Sequence, residues 1–260
     1  MIGHPTPMAR HLLHVARRLS ELSIHPTLYM TKTLLITVAA LSVAATSAFG
    51  LTVEFRKSGF QSGNGGEFWA HTAPEDLSAG YAGSTSATFG SKSYFATFCL
   101  ERTEKLVFNS VQAATVASSA DKGGVSGGSP DPLSIGTTYL YSEFAKGTLV
   151  GYNYGAGRIS SANLLQQAIW YLEQELSSIG ANPFIDAAIA ALGVGSAADL
   201  RADAAAGAYG VYALNIKQGS GYRQDVLVYI PTAVPDGGMT LALLGLGLAG
   251  LGVASRRRLA

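Results

Sequence analysis

Apolar and polar positions alternate at both ends of the chain's body and cycle with a helical period between them. Leu51 to Phe55 alternates with period two and predicts a first strand; Glu67 to His71 predicts a second. Gly59 to Gly66 between them reads as a flexible loop. Tyr94 to Leu100, with the sequence Tyr-Phe-Ala-Thr-Phe-Cys-Leu, is rich in strand formers and predicts a central strand, with Leu106 to Thr115 as its partner. Ser118 to Pro132 is dense in Gly, Ser and Pro and reads as a loop. The period then changes. Ser134 caps a predicted helix from Ile135 to Phe144, ended by Gly147. Ser160 or Ser161 caps a second, from Ala162 to about Ser178, on which Leu165, Ile169 and Leu172 form one apolar stripe. Pro183 opens a third helix to about Leu192, and Ala197 to Ala206 predicts a fourth. Val211 to Ile216 and Asp225 to Ile230 return to strand character across the turn Gln218-Gly219-Ser220-Gly221. Strands, helices and strands in that order predict an α+β domain over 51–233. Its expected core is an antiparallel, barrel-like sheet with an inserted helical lobe at about 133–207.

The two ends follow another grammar. Met30-Thr31-Lys32 starts a short basic segment, Leu34 to Ala45 is apolar but short for a membrane span, and Ala48-Phe49-Gly50 places small residues where signal peptidase reads. Residues 30–50 are therefore expected to be a signal peptide, cut after Gly50 or after Ala48. Residues 1–29 are expected to be an over-long start or an extended basic n-region. At the other end, Val234-Pro235-Asp236-Gly237-Gly238 is turn-forming, Met239 to Ala254 is almost unbroken apolar sequence, and 255–260 carries Arg256, Arg257 and Arg258. Residues 239–254 would span roughly 24 Å as a helix, with the arginines on the cytoplasmic side. Motif, apolar stretch and basic tail in this order resemble the PEP-CTERM class of sorting signal, in a variant built on Val-Pro-Asp. The resemblance covers 234–260 and implies processing by an exosortase-type membrane protease near Val234 to Gly238. A permanent tail anchor without processing is the alternative. The expected product is exported to the envelope or cell surface, held at least transiently to the membrane by the C-terminal helix.

Composition agrees with export. Of 260 residues, 48% are hydrophobic, 13% are charged and 31 are glycine, a low-charge balance suited to a strand- and loop-rich secreted protein. The net charge of +1 hides an uneven layout. From Leu51 to Ala233 there are 11 basic and 15 acidic residues, a net of −4. An acidic body gives no electrostatic reason to expect a nucleic-acid partner.

Cys99 is the only cysteine. Exported proteins usually pair their cysteines, so a single one calls for a reason; a buried inert thiol or an intermolecular disulfide would supply it. A second segment suggests another. Phe98-Cys99-Leu100, together with Gln166, Ala168, Ile169 and Trp170 on the second predicted helix, resembles the thioester domains of bacterial surface adhesins. Those carry an aromatic-Cys strand motif and a helix motif Thr-Gln-x-Ala-Ile-Trp; here Leu165 replaces the Thr. The likeness covers about Ser93 to Leu172. It implies an internal thioester between Cys99 and Gln166, supported by Phe98, Ala168, Ile169 and Trp170, that captures an amine on a target surface once, without turnover. Gln167 points about 100° away from Gln166 on a helix, so only one of the two can face Cys99.

Other chemistry is less well founded. His71, the only histidine in the exported part, could serve Cys99 as base in a hydrolase. One His and one Cys do not make a zinc site, and Asp121 and Asp131 lack a calcium-loop pattern, so neither metal nor cofactor is expected. Glu101 and Glu104 read as a solvated face, and Trp69, Trp170 and Tyr139 as core. The expected role is thus a non-enzymatic surface binding protein capturing a target that bears amines or polysaccharide. The alternative is a structural envelope or matrix protein with the same sorting signal. Signal peptidase and an exosortase-type protease are its expected processing partners.

Overall fold

The computed structural model describes residues 50–231, apart from 63–64, 124, 126–127 and 219–220. The expected signal peptide, the sorting motif at 234–238 and the apolar stretch 239–254 lie outside the described residues.

Ten strands and three α-helices make up the described fold. The strands are β1 (Thr52–Ser62), β2 (Gly65–Ala73), β3 (Ser86–Phe89), β4 (Lys92–Thr97), β5 (Val111–Ala117), β6 (Ser119–Ala120), β7 (Asp131–Pro132), β8 (Val211–Gln218), β9 (Gly221–Tyr222) and β10 (Val226–Tyr229). The helices α1 (Ile135–Ala145), α2 (Arg158–Leu172) and α3 (Pro183–Leu192) fall between β7 and β8. The main sheet runs β10-β8-β5-β1-β2-β4-β3, with β9 paired to β8; β6 and β7 form a separate pair. Every ladder in it is antiparallel.

The sheet curls without closing. Val53, Phe55, Ala70, Phe95, Leu214, Ile216, Val226 and Val228 share one apolar cluster on its inner face. Its two edges nevertheless remain β10 and β3. β3 occupies the free side of β4 from Lys92 to Phe95, so β10 meets β4 only at its end, where Thr97 Oγ1 donates to the Leu227 carbonyl at 2.6 Å, and otherwise reaches the irregular segment beyond it. There it makes a single bridge, Cys99 with Val226, through Leu227 N donating to the Phe98 carbonyl and Leu100 N to the Asp225 carbonyl. The expected barrel-like core is corrected to an open sheet. β4 is next to an edge rather than central, and β5 pairs with β1 and β8 rather than β4. The glycine-rich segment is corrected from loop to strand at its described residues: 59–62 belong to β1 and 65–66 to β2, with Gln61 opposite Gly66 and Ser62 opposite Gly65.

The helices pack on the sheet's other face. Leu140, Tyr141, Phe144, Leu165, Ala168, Ile169, Leu172 and Phe184 bury against Trp69, Tyr94, Ala96, Phe98, Ala213 and Leu227. α1 is capped by Ser134 and α3 by Asn182 with Pro183 in its first turn. α2 begins four residues earlier than its serines predict, at Arg158, with no side-chain cap. A guanidinium at a helix N-terminus meets the unfavourable end of the dipole. Glu67 on β2 offsets this: its carboxylate accepts from Arg158 Nε at 2.9 Å and Nη2 at 2.6 Å, and from the Tyr152 hydroxyl at 2.9 Å. Arg158 Nη2 also donates to the Ser84 carbonyl. α2 ends at Leu172, because Gln174 takes positive φ and the buried Glu173 carboxylate accepts from the N–H and hydroxyl of Ser134. The predicted fourth helix is reduced to the 3₁₀ turn Asp199–Arg201.

Membrane anchorage by a helix is also corrected. Among the described residues no helix is long and apolar enough to cross a membrane. The longest, α2, has 15 residues, roughly 22 Å, and carries Arg158, Asn163, Gln166 and Gln167.

The Glu67–Arg158 pair is enclosed, so removing one partner strands the other charge. Arg158→Ala is expected to cost about 3–5 kcal/mol, read as a lower urea midpoint, and Arg158→Lys to recover only part of it because a lysine cannot make the paired contact.

Candidate functional site

Cys99 sits where β4 leaves its ladder, and Gln166 faces it from the middle of α2. Both are enclosed, at 4% and 1% exposure. The Gln166 carboxamide brackets the Cys99 backbone: Oε1 accepts from Cys99 N at 3.1 Å, and Nε2 donates to the Cys99 carbonyl at 2.8 Å. Oε1 also receives a weaker bond from Gly66 N at 3.4 Å. The structure thus brings Cys99 and Gln166 together, while Gln167 lies half-buried on the neighbouring flank of the helix.

The close approach depends on β2 having no side chain at its first position. A Cβ on Gly65 would stand 2.6 Å from Gln166 Cγ and 2.6 Å from the Trp170 ring. Trp170, one turn beyond Gln166, packs with Cys99 and Phe68, and Leu106, Phe108 and Leu176 close around them. Its buried indole N–H has no hydrogen-bond partner among the described residues, and the ring covers Cys99 with its apolar face. Phe98, Ala168 and Ile169 belong to the helix–sheet core instead, Phe98 edge-on to Phe144 with centroids 5.0 Å apart. Leu165, where the thioester-domain motif has Thr, is also core.

The surroundings of Cys99 are apolar on one side and acidic on the other. Burial, and then the charge of Glu101, push its thiol well above the ordinary range. Glu101 is not on a solvated face. It is enclosed, its Oε2 accepts from Gln224 Nε2 at 2.6 Å and Asp225 N at 3.0 Å, and Oε1 has no partner among the described residues. Burial, then Asp225 and Glu104, push its carboxyl up to about 10. Burial likewise raises Asp225 and Glu173 to about 7 each.

His71 is elsewhere. Its Nδ1 lies 2.8 Å from the Ser93 carbonyl and its ring against Tyr94, five residues and roughly 15 Å of strand from Cys99. No Cys–His dyad forms. Trp69 is core, and Tyr139 lies at its margin, edge-on to Tyr209. Gly65, Gly66 and Glu101 were not singled out from the sequence as site residues. The signal for the glycines was available, since a glycine pair opening a strand often marks close backbone approach. Nothing local distinguishes a buried Glu101 from a solvated one.

The comparisons with known proteins concern the C-terminus. A family model described as the VPDSG-CTERM motif matches residues 233–258. In this chain Gly237 stands where that motif has its Ser. No curated protein and no solved structure matches the chain. The chain is therefore an exported protein bearing a C-terminal, PEP-CTERM-like sorting signal processed by exosortase-type systems.

Two variants probe this site. Gly65→Ala is expected to cost about 1–3 kcal/mol through overpacking and to speed alkylation of Cys99 in native buffer, measured by mass. The second concerns pH. Above the ordinary value of 4.5 the unfolded chain has lost the Glu101 proton, while the native state retains it up to about 10. The native state then binds more protons, so this group makes stability fall as pH rises through that window. Glu101→Gln, which mimics the protonated acid, is expected to flatten the fall in urea midpoint between about pH 5 and about pH 9. Asp225 and Glu173 retain their share.

Proposed function

We propose that this exported protein acts as a non-catalytic structural component of the cell envelope or extracellular matrix, delivered by an exosortase-type system. The sorting signal at 233–258 carries this reading. The described body is compatible with it, since Gln166 already has three backbone hydrogen bonds as a buried brace between α2, β2 and Cys99.

A second reading adds covalent chemistry to the same role, and one observation favours it: the Gln166 carboxamide lies against Cys99 in a water-poor pocket. The thiol sulfur attacks the Gln166 side-chain carbonyl carbon. The C–N bond breaks, and the thiol proton leaves with the amide nitrogen as ammonia. An isolated amide is a poor electrophile, so the step draws on proximity and on the N–H groups of Cys99 and Gly66 aimed at Oε1. The resulting thioester is shielded by Phe68 and Trp170. An incoming amine then attacks the same carbon, the C–S bond breaks, and the proton from the amine returns to Cys99. The result is one amide link to the target per molecule and no turnover.

Intact mass separates the two. For the covalent reading, fresh wild-type protein is expected to be lighter than its processed sequence by one ammonia, and Cys99→Ala and Gln166→Ala to show no such loss. Methylamine is expected to open the thioester in the wild type alone, leaving N-methylated Gln166 and a mass one methylene above the processed sequence. An unmodified mass with a thiol that alkylates freely on unfolding leaves the structural reading.

A further inference from the structure

The covalent reading leaves the target unspecified, and the surface beside Cys99 narrows it. A hollow of about 570 Å³ opens between β1 and the segment that follows Cys99. Its floor is Phe68, Leu106 and Phe108, the residues that also pack around Cys99 and Trp170. Its rim carries Lys57, Arg102 and Lys105, against one carboxylate, Glu104. All three cations are exposed, and none forms an ion pair among the described residues. They stand out on a body whose net charge is −4. The rim is also held in place: Arg102 N donates to Glu175 beyond α2 at 2.8 Å, and Asn109 N donates to the Phe55 carbonyl at 3.0 Å.

We infer that this groove selects amine donors presented on acid-rich peptide segments. The inference rests on the covalent reading of Cys99 and Gln166. Three unpaired cations attract acidic side chains flanking a lysine and raise the rate of encounter. The arriving lysine attacks the Gln166 carbon as its neutral amine while the C–S bond breaks, a step in which the three cations take no part. The apolar floor suits the methylene stem of lysine, which an amine attached directly to a sugar ring lacks.

The test uses the full chain and two acetylated peptides, each with lysine as its sole amine, flanked by aspartates in one and asparagines in the other. A glucosamine trimer and methylamine complete the probe set. Adducts at Gln166 are followed by mass. The aspartate peptide is expected to label about tenfold faster than the asparagine peptide at low salt. That advantage is expected to vanish at high salt and in the combined variant Lys57→Ser, Arg102→Ser, Lys105→Ser, whose methylamine rate stays that of the wild type. Equal labelling by the two peptides, faster labelling by the glucosamine trimer, or an advantage that survives in the variant overturns the groove's role while leaving the thioester intact. Failure of the wild type to take up methylamine overturns the thioester and the inference with it.

Discussion

The attachment of α2 to β2 is the constraint on which the candidate site depends. At the helix start, Arg158 and Glu67 form a paired, enclosed contact. Burial alone pushes the Glu67 carboxyl up, and Arg158 and Tyr152 hold it down. Two turns on, Gln166 reaches the Cys99 backbone. The first contact sets the position of the helix on the strand, and the second uses it. A shift of the helix by one residue would turn Gln166 by about 100° away from Cys99. The charged pair is weak evidence for stability in itself, because its desolvation offsets most of its attraction. Its consequence is register.

Around that attachment the protein keeps Cys99 dry and protonated. Apolar residues enclose it on one side, and Glu101, itself pushed toward the neutral form, lies on the other. This arrangement suits an inert core thiol, and it suits equally a thiol held for one reaction with the amide beside it. Bulk thiol chemistry is suppressed in both cases, because the thiolate is the reactive form. What differs is whether the oriented carboxamide has been converted, and that is a covalent question rather than a question of fold.

Export gives the site its setting. The sorting signal belongs to the last tenth of the chain, whereas the fold and the Cys99–Gln166 contact belong to its middle. The described helices are short and serve the core; their apolar faces are spent on the sheet. The groove beside Cys99 opens this core toward the surface, since its floor is continuous with the residues that cover the thiol.

The sequence by itself determined what depends on neighbours in the chain. Ser134 and Pro183 mark the starts of α1 and α3 because caps and first-turn prolines act within four residues. The stripe of Leu165, Ile169 and Leu172 marked the buried face of α2, and the hydrophobic grammar of 234–258 marked the sorting signal. The pairing of Cys99 with Gln166 was legible only through resemblance, since 67 residues separate them. Tertiary structure decided the rest. α2 starts at Arg158 because Glu67, 91 residues earlier, receives it. Residues 59–62 and 65–66 are strand rather than loop because β1 and β2 pair there, and Gly65 must be glycine because α2 approaches it closely. The sheet stays open because β3 has taken the edge of β4 that β10 would need. Glu101 is buried because Gln224 and Asp225, more than 120 residues on, enclose it. Propensity and capping are local energies, whereas strand order, close approach and desolvation arise only when distant segments share one core.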